Sequence, residues 1–256
     1  MLQQPFFTVQ QNNGLVLPSS ISGLQLWLES STNITLNSGN VSSWIDKTQS
    51  INYAQATALN QPPYLTNEIN GLQALNFTGS PITLGSGSTN LLNNASGATL
   101  FAVVKANAIP GTSSVVFYIS SGTAIGSSRF ALQLISTQRF QIATRRADAD
   151  GLSTLPSNSA FSLTNYQIVC VQYDAGTRTA NFYINNPNTA DVTSTTFGTA
   201  GSNFSATNSL GTNIASANAS TFANVKVADT LLFNRSLTLT ERQQMFEYLN
   251  DRFRVY

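Results

Sequence analysis

The sequence predicts an all-β protein in which two antiparallel sheets pack face to face and one C-terminal amphipathic helix covers an edge or end. Three observations lead to this prediction. Short runs in which apolar residues alternate with polar ones recur along most of the chain, as in half-buried strands. Asn, Ser, Thr and Gly, which favour turns, separate these runs. A single helical pattern appears near the C-terminus, and it needs a large apolar surface on which to lie.

Strand patterns begin at residue 21. Leu24, Leu26 and Leu28 alternate with Gln25 and Trp27, which is typical of a half-buried strand. Further apolar positions expected in the core before residue 80 are Val41, Trp44, Leu72, Leu75 and Phe77. The two tryptophans fall within strand patterns and are therefore expected to be buried.

The middle of the chain carries the most apolar strands. They are predicted at residues 99–104, 115–119, 130–135 and 140–142. Residues 166–173 and 179–184 form a predicted hairpin, with Gly176 supplying a positive φ in its turn. Cys170 lies in the first of these two strands and is expected to be a buried thiol. The polar region 185–223 is predicted to form loops around one or two short strands.

The C-terminal segment predicts a strand, a tight turn and the helix. The strand places apolar residues on one face, with a break near Asp229, at Val225, Val227, Leu231 and Phe233. Thr238 stands three residues before Glu241, which is the spacing of a capping box at a helix N-terminus. The apolar stripe of the helix consists of Leu239, Phe246, Leu249 and Phe253, widened by Met245 and Tyr248.

The composition limits the classes of partner. Charged residues make up 9% of the chain and the net charge is +1, which gives no electrostatic basis for binding nucleic acid or an anionic membrane. No apolar run approaches the roughly 20 residues that span a bilayer, and the N-terminus lacks the pattern of a secretory signal. We therefore expect folding in a cytoplasm, and a neutral surface suited to assembly as a homo-oligomer.

The first 20 residues differ from the rest, which predicts an extended arm (1–20) before a single domain (21–256). The arm alternates uncharged polar residues with short apolar segments. One interpretation is a tail that is disordered or lies on its own domain. The other is an arm that docks on a neighbouring subunit through Phe6, Phe7, Leu15 and Leu17.

Catalytic motifs are absent from the sequence. The chain has no histidine, which excludes a Ser-His-Asp or Cys-His site. Glu29, Glu68 and Glu241 have no second carboxylate two or four residues away, and Glu247 has only Asp251, on the predicted helix. The paired acids of a strand-borne glycosidase site are therefore missing. There is no nucleotide-binding glycine motif. The sequence therefore predicts a protein that is not an enzyme and needs no cofactor.

Several segments, taken in their order along the chain, carry a resemblance to a known family. The opening is carried by "GLQLWLES", "VSSWIDK", "ATALNQPPYL" and "INGLQALNFTGS", between Gly23 and Ser80. The middle is carried by residues 129–184 with "RRADADG", and the end by "LLFNRSLTLTERQQMFEYLNDRF". Together these segments resemble laminin-G-like, concanavalin A-type jelly rolls. The resemblance covers about residues 22–253 and implies a jelly-roll sandwich.

The resemblance also implies two kinds of site. Related domains bind calcium with acids near the rim, but the acidic run of those domains is replaced here at Ser80 and Pro81. Asp148 and Asp150 are the remaining candidates for calcium, although pairing with Arg145 and Arg146 in a hairpin turn explains them better. Sugar binding requires exposed aromatic rings, for which the candidates are Tyr53, Tyr64 and Tyr118.

These observations lead to a functional hypothesis with one alternative. The resemblance extends to domains of phage structural proteins, so we expect a virion protein, assembled in the host cytoplasm. Its role is capsid decoration (cement) or tail association, with virion partners such as the major capsid protein. The alternative is a lectin-like adhesion module that recognises a glycan on a host surface.

Overall fold

The fold consists of two stacked antiparallel sheets and one α-helix. The computed structural model describes residues 14–79, 81–87, 90–120, 128–201, 203–204, 211–217 and 221–256. The eight-stranded sheet contains, from edge to edge, β15 (Val192–Ser194), β14 (Thr179–Ile184), β13 (Gln167–Asp174), β8 (Gly97–Ala106), β17 (Asn224–Phe233), β6 (Leu72–Thr78) and β5 (Tyr64–Ile69). The eighth strand, β1 (Leu24–Glu29), pairs with β17.

The second sheet has nine strands. In order they are β12 (Ser153–Ala160), β11 (Arg139–Thr144), β10 (Ser128–Ile135), β9 (Ser114–Ser120), β16 (Thr212–Ile214), β7 (Leu84–Ser86), β4 (Asn52–Ala54), β3 (Asn40–Ile45) and β2 (Ile34–Asn37). Short 3-10 turns occur at Pro18–Ser20 and Ala58–Asn60. The predicted all-β sandwich is confirmed.

The main core lies between the two sheets. Alternate residues of each strand point into it, as the pleat of a strand requires. Its largest members are fully buried aromatic side chains from both sheets: Trp44, Tyr53, Phe77, Phe117, Phe130, Phe140, Tyr173 and Phe182. The burial of Trp44, predicted from its strand pattern, is confirmed.

Helix α1 (Leu239–Phe253) lies on the outer face of the eight-stranded sheet, so the prediction that it covers an edge or end is wrong. Strands β8 and β17 are apolar on both faces, and their outward side chains form a second core under the helix. Phe101 of β8 contacts Phe233 of β17 and Phe246 of the helix, with ring centroids 6.3 and 5.7 Å apart. A strand that is apolar on both faces needs a cover on each.

The capping box that starts the helix is confirmed. Thr238 Oγ1 accepts from the backbone N–H of Glu241, and the Glu241 carboxylate accepts from the backbone N–H of Thr238 at 2.9 Å. Arg235 adds two hydrogen bonds to the same carboxylate, at 2.6 and 2.9 Å. The strand-turn-helix segment is therefore closed by its own side chains.

Local details confirm and correct further predictions. The break near Asp229 is a β-bulge between Val227 and Asp229 in the pairing of β17 with β8. In the β13–β14 turn it is Arg178, not Gly176, that takes a positive φ, of 57°. Strand β12 was not predicted because its sequence, STLPSNSA, is polar and contains proline.

The described end of the arm lies against its own domain. Pro18 is buried, and Val16 packs against the core under the helix. Leu15 is half-buried and Leu17 is 40% exposed. Phe6 and Phe7 lie outside the described residues, so their proposed docking role stays a prediction. Within the described part of the chain, no helix is long and apolar enough to cross a bilayer.

Candidate functional site

The outer face of the eight-stranded sheet becomes polar beyond the core under the helix. On β8 that core ends at Val103, and Lys105 is the next residue that faces the same side. Lys105 pairs in register with Lys226 of β17, which in turn pairs with Asn76 of β6. Three neighbouring strands therefore present polar side chains in one row, where alternation would otherwise continue the apolar surface.

Glu68, at the end of β5, reaches this row. Its Oε1 accepts hydrogen bonds from Lys226 Nζ at 2.6 Å and Lys105 Nζ at 3.3 Å. Partial burial acts to raise the pKa of Glu68, but the hydrogen bonds and positive charges of the two lysines outweigh it and lower that pKa. Glu68 is therefore ionised at neutral pH. Its second oxygen, Oε2, accepts a hydrogen bond from no described residue, because all three donors bind Oε1.

Tyr166 completes the group from the start of β13. Its hydroxyl donates to Glu68 Oε1 at 3.5 Å, and Lys105 Nζ lies 5.2 Å from its ring centroid. Burial and the negative charge of Glu68 raise the pKa of Tyr166, so the phenol keeps its proton. The carboxylate is thus fixed by three donors, two from strands β8 and β17 and one from the residue that precedes β13.

A cleft of about 240 Å³ opens over Glu68. We call it the Glu68 cleft, and its polar lining consists of Glu68, Asn70, Lys105, Thr164, Asn165, Tyr166 and Arg254. Asn70 Nδ2 donates to the carbonyls of Phe253 and Arg254 and so fixes the helix C-terminus beside the cleft. Arg254, at the helix C-cap with φ 47°, forms no ion pair with any described residue.

The Glu68 cleft is positively charged. Its described lining carries two cations, Lys105 and Arg254, and one carboxylate, Glu68. Lys226, which is not in the lining, also binds Glu68. The whole chain carries a net charge of only +1. A local excess of cations in a cleft with protein walls favours an anionic ligand.

A second cleft, of about 380 Å³, lies between the β8–β9 connection and the start of β17. We call it the Ile109 cleft. Ile109 is 43% exposed and Phe222 is half-buried, which gives the cleft an apolar part. Thr112, Ser113 and Thr221 add hydroxyl groups, and no charged residue lines it among those described.

An asparagine cluster lies between the two clefts. Asn107 Nδ2 donates to Asn76 Oδ1 at 2.9 Å and to Asn224 Oδ1 at 2.8 Å. Asn76 is the register partner of Lys226, and Asn224 lines the Ile109 cleft. The polar row beside the Glu68 cleft is therefore continuous with the Ile109 cleft.

The predicted sugar-stacking tyrosines are elsewhere. Tyr53 and Tyr118 are 0% exposed, so the prediction that they stack on a sugar is wrong. A ring with no accessible face cannot contact a sugar. Tyr64 is half-buried and its hydroxyl donates to the carbonyl of Ser30 at 2.9 Å. None of the three lines either cleft.

Asp148 and Asp150 lie in the β11–β12 turn and bind arginines. Asp148 accepts from the buried Arg129 at 2.7 Å, and Asp150 lies 3.4 Å from Arg146. Arg145 lies 4.0 Å from Asp148. The preferred interpretation, ion pairs in a hairpin turn, is confirmed. In the parts of the chain that are described, no cluster of three or more His, Cys, Asp or Glu residues is arranged to hold a metal.

A pair of facing carboxylates was not predicted. Glu29 of β1 and Asp229 of β17 are register partners, and both are buried. Lys47 and Arg252 bind Glu29 at 2.8 and 2.6 Å. Glu29 and Asp229 lie on the sheet face that bears the helix and line neither of the two clefts. An acid pair that works on a substrate needs access to it.

The Glu68 cleft was missed from the sequence because its members come from four separate segments. Their proximity depends on how β5, β8, β13 and the helix end pack together. One signal was present. Lys105 and Lys226 interrupt strands that are otherwise mostly apolar. A lysine in such a strand marks a place where the outer face of the sheet is open to solvent.

The architecture defines a two-sheet lectin-type sandwich with a polar, cationic cleft on one outer face. A family model described as the concanavalin A-like lectin/glucanases superfamily matches residues 77–241, which is more than half of the chain. The chain belongs to this superfamily. No curated protein matches it.

Solved structures share the fold at low sequence identity. A Trypanosoma rangeli sialidase complex is 16% identical, with a TM-score of 0.62 over 91% of this chain and 33% of that one. The ligand binding domain of botulinum neurotoxin serotype D in complex with N-acetylneuraminic acid is 9% identical, with a TM-score of 0.60 over 90% of this chain and 52% of that one. The binding domain of botulinum neurotoxin DC in complex with rat synaptotagmin II is 10% identical, with a TM-score of 0.58 over 89% and 52%.

The chain thus spans about a third to a half of these matched chains. At such identities the likeness shows the fold alone, and the matched proteins include both a sialidase and binding domains of toxins.

Proposed function

We propose that this protein is a non-enzymatic, lectin-like adhesion module that binds carbohydrate in the Glu68 cleft. The observation that carries the proposal is the convergence of hydrogen-bonding groups in that cleft. Glu68, Tyr166 and Lys105 are already held in a network, while Asn165 and Arg254 are exposed at its rim. Sugar hydroxyls are both donors and acceptors, so a fixed carboxylate flanked by amides and cations suits them.

Pre-organisation supports binding in this cleft. Glu68 Oε1 is fixed by the two lysines and Tyr166, which leaves Oε2 to accept from a ligand hydroxyl. Because these groups are ordered before the ligand arrives, less conformational entropy is lost on binding. The structural neighbours include one domain in complex with N-acetylneuraminic acid, which agrees with a glycan ligand.

The absence of catalysis is part of the proposal. Glycoside hydrolysis uses two carboxyl groups on either side of the scissile bond. Glu68 is the single carboxylate in the described lining of its cleft, and lysines hold it ionised. The facing pair Glu29 and Asp229 is buried, with Lys47 and Arg252 bound to Glu29.

A glycan array followed by titration calorimetry tests the proposal. Glu68→Gln and Asn165→Ala are each expected to weaken the binding of array-positive glycans at least tenfold. The matched control is Glu247→Gln, an exposed glutamate on the helix, which is expected to bind as the unchanged protein does. Binding to no glycan, or turnover of an array-positive glycan, would contradict the proposal.

The particle-docking role predicted from the sequence stays a prediction, as do the virion location, the capsid partners and the homo-oligomer. Its anchors Phe6 and Phe7 lie outside the described residues. Deleting residues 1–20 and measuring the oligomeric state and particle association separates that role from glycan binding, because no described residue of the arm lines the Glu68 cleft.

A further inference from the structure

We infer that the two clefts are subsites of one extended site for an acidic oligosaccharide, with a carboxylate-bearing sugar in the Glu68 cleft and a neutral sugar in the Ile109 cleft. This inference rests on the proposed function and specifies its ligand. It follows from three observations: the short path between the clefts, the polar groups along that path, and the difference between the charged lining of one cleft and the uncharged lining of the other.

The path follows two neighbouring strands. Lys105, in the Glu68 cleft, and Ala108, in the Ile109 cleft, are three residues apart. At a rise of about 3.3 Å per strand residue, that separation is roughly 10 Å. On β17, Lys226 binds Glu68 and Asn224 lines the Ile109 cleft, two residues away. An oligosaccharide of a few units covers such a distance, whereas a single sugar does not.

The asparagine cluster supplies hydrogen bonds along this path. Asn107 uses its own amide to bond the Oδ1 atoms of Asn76 and Asn224. The Nδ2 groups of Asn76 and Asn224 donate to no described residue, and both side chains are half-buried rather than covered. Two oriented amide donors are therefore available between the clefts, at the position of the linking sugar atoms.

The charges place the acidic unit in the Glu68 cleft. Lys105 and Lys226 share a single carboxylate oxygen, so two cations are balanced by one anion. Arg254, exposed at the rim, has no ionic partner among the described residues. A sugar carboxylate near Arg254 would offset one of the two excess positive charges, and a guanidinium binds carboxylates through two parallel hydrogen bonds.

The Ile109 cleft suits a neutral unit. Its described lining combines Ile109 and Phe222 with hydroxyl groups and carries no charge. Sugar rings have an apolar face of C–H groups and a rim of hydroxyls, so they match such a lining. The hydroxyl of Ser114, which lies in this lining, is buried without a hydrogen-bond partner, and a small shift would let it pair with a ligand.

Size-graded oligosaccharides test the inference. The probes are hyaluronan oligosaccharides, which alternate an acidic and a neutral sugar, oligogalacturonides and neutral chito-oligosaccharides, each measured from one or two up to eight units by calorimetry. We expect affinity for hyaluronan oligosaccharides to rise at least tenfold between two and four units and then level off. Chito-oligosaccharides should bind at least tenfold more weakly.

Two variants separate the subsites. Arg254→Gln should weaken all acidic probes about tenfold and reduce the salt dependence of binding. Ile109→Ser should weaken only the longer hyaluronan oligosaccharides. Their controls are Arg139→Gln, an exposed arginine on β11, and Leu59→Ser, an 89% exposed leucine, neither of which lines a cleft.

The outcomes distinguish this inference from the proposed function. Affinity that does not change with length, together with no effect of Ile109→Ser, overturns the extended site while glycan binding stands. Equal binding of neutral and acidic probes with no effect of Arg254→Gln overturns the acidic subsite. Binding to none of the probes while array-positive neutral glycans bind also overturns the inference, and binding to no glycan at all overturns the proposed function itself.

Discussion

Glu29 and Asp229 lie directly opposite each other where β1 pairs with β17, yet their carboxyl groups have different surroundings. Glu29 accepts from Lys47, Arg252 and Ser31, and these partners outweigh burial and lower its pKa. Neither carboxylate oxygen of Asp229 has a side-chain partner among the described residues. Its burial, together with the nearby negative charge of Glu29, raises the pKa of Asp229 well above 3.8. One pair of neighbours therefore combines a stabilising and a destabilising charge.

Asp229→Asn is expected to stabilise the protein at pH 7, by about 1–2 kcal/mol. A folded-state pKa above the unfolded value contributes stability that is present at low pH and lost as pH rises through the folded pKa. The gain should therefore shrink as pH falls toward 4. Urea unfolding at pH 4, 5.5 and 7 measures it. A loss of stability that is the same at all three pH values would contradict the expectation.

Glu29→Gln should act in the opposite direction at pH 7. Its removal leaves Lys47 and Arg252 without their carboxylate, at a cost of about 1–3 kcal/mol, because both cations are partly exposed to solvent. A folded-state pKa below the unfolded value gives stability that is lost as pH falls through the folded pKa. The difference in unfolding free energy between Glu29→Gln and the unchanged protein should therefore become smaller in acid. Urea unfolding at the same three pH values measures this loss of stability. If both variants changed the stability in the same direction at pH 7, the opposite roles assigned to Glu29 and Asp229 would be contradicted.

Helix docking on the outer face predicts a large effect of Phe246→Ala. The side chain is fully buried against Phe101, so its loss should cost about 3–5 kcal/mol. Leu239 was predicted to belong to the apolar stripe of the helix, but it is 50% exposed. Leu239→Ala is therefore the matched control and should change stability by less than about 1 kcal/mol. Thermal unfolding compares them. A small effect of Phe246→Ala would mean that the helix is not packed on this sheet.

The capping box predicts an acid-sensitive helix start. Hydrogen bonds from Arg235 and the backbone of Thr238 outweigh partial burial and lower the pKa of Glu241 to about 2. Its contribution is complete above the ordinary value of 4.5 and is lost as pH falls toward 2. Glu241→Gln should cost about 1 kcal/mol at pH 7 and much less near pH 2. Helix content and stability followed by circular dichroism across this range check the prediction, which a pH-independent difference would refute.

Calcium is expected to leave the unfolding temperature unchanged. The carboxylates of Asp148 and Asp150 already bind Arg129 and Arg146, and a cation would have to displace these partners. Differential scanning calorimetry with millimolar calcium or with a chelator measures this. A calcium-dependent rise in the unfolding temperature that Asp148→Asn abolishes would instead establish a calcium site in the β11–β12 turn.

Periodicity predicted the elements because it reports which side chains leave water. The capping pair Thr238 and Glu241 and the break at Asp229 are local patterns, and each was found where expected. The strand around Leu26 was expected to be half-buried, but it is buried on both faces. The bulge at Asp229 leaves Val225 and Val227 in the main core and Leu231 and Phe233 under the helix, so the predicted single apolar face is wrong. The domain boundary at residue 20, set by composition alone, stays a prediction. Strand β12 escaped detection because its pairing with β11, rather than its own propensity, makes it a strand.

The site was not predictable in the same way. Tyr53, Tyr64 and Tyr118 were chosen because aromatic rings stack on sugars. A strand pattern in the sequence, however, does not show whether other parts of the chain cover the outer face of that strand. The sheet that carries Tyr118 buries that ring on its outer side, beside Ala131 and Ala143. Only the packing of loops and sheets decided which aromatic rings are accessible.

The amino-acid sequence by itself determined the layered β architecture, the strand-turn-helix ending and the burial of Trp44 and Cys170, because these depend on hydrophobic alternation and on contacts within a few residues. Tertiary structure alone decided that Glu68 meets Lys105, Lys226 and Tyr166, and that Glu29 faces Asp229. These contacts join residues far apart in the chain, so they exist only once strand order and register are fixed, and no local pattern encodes either.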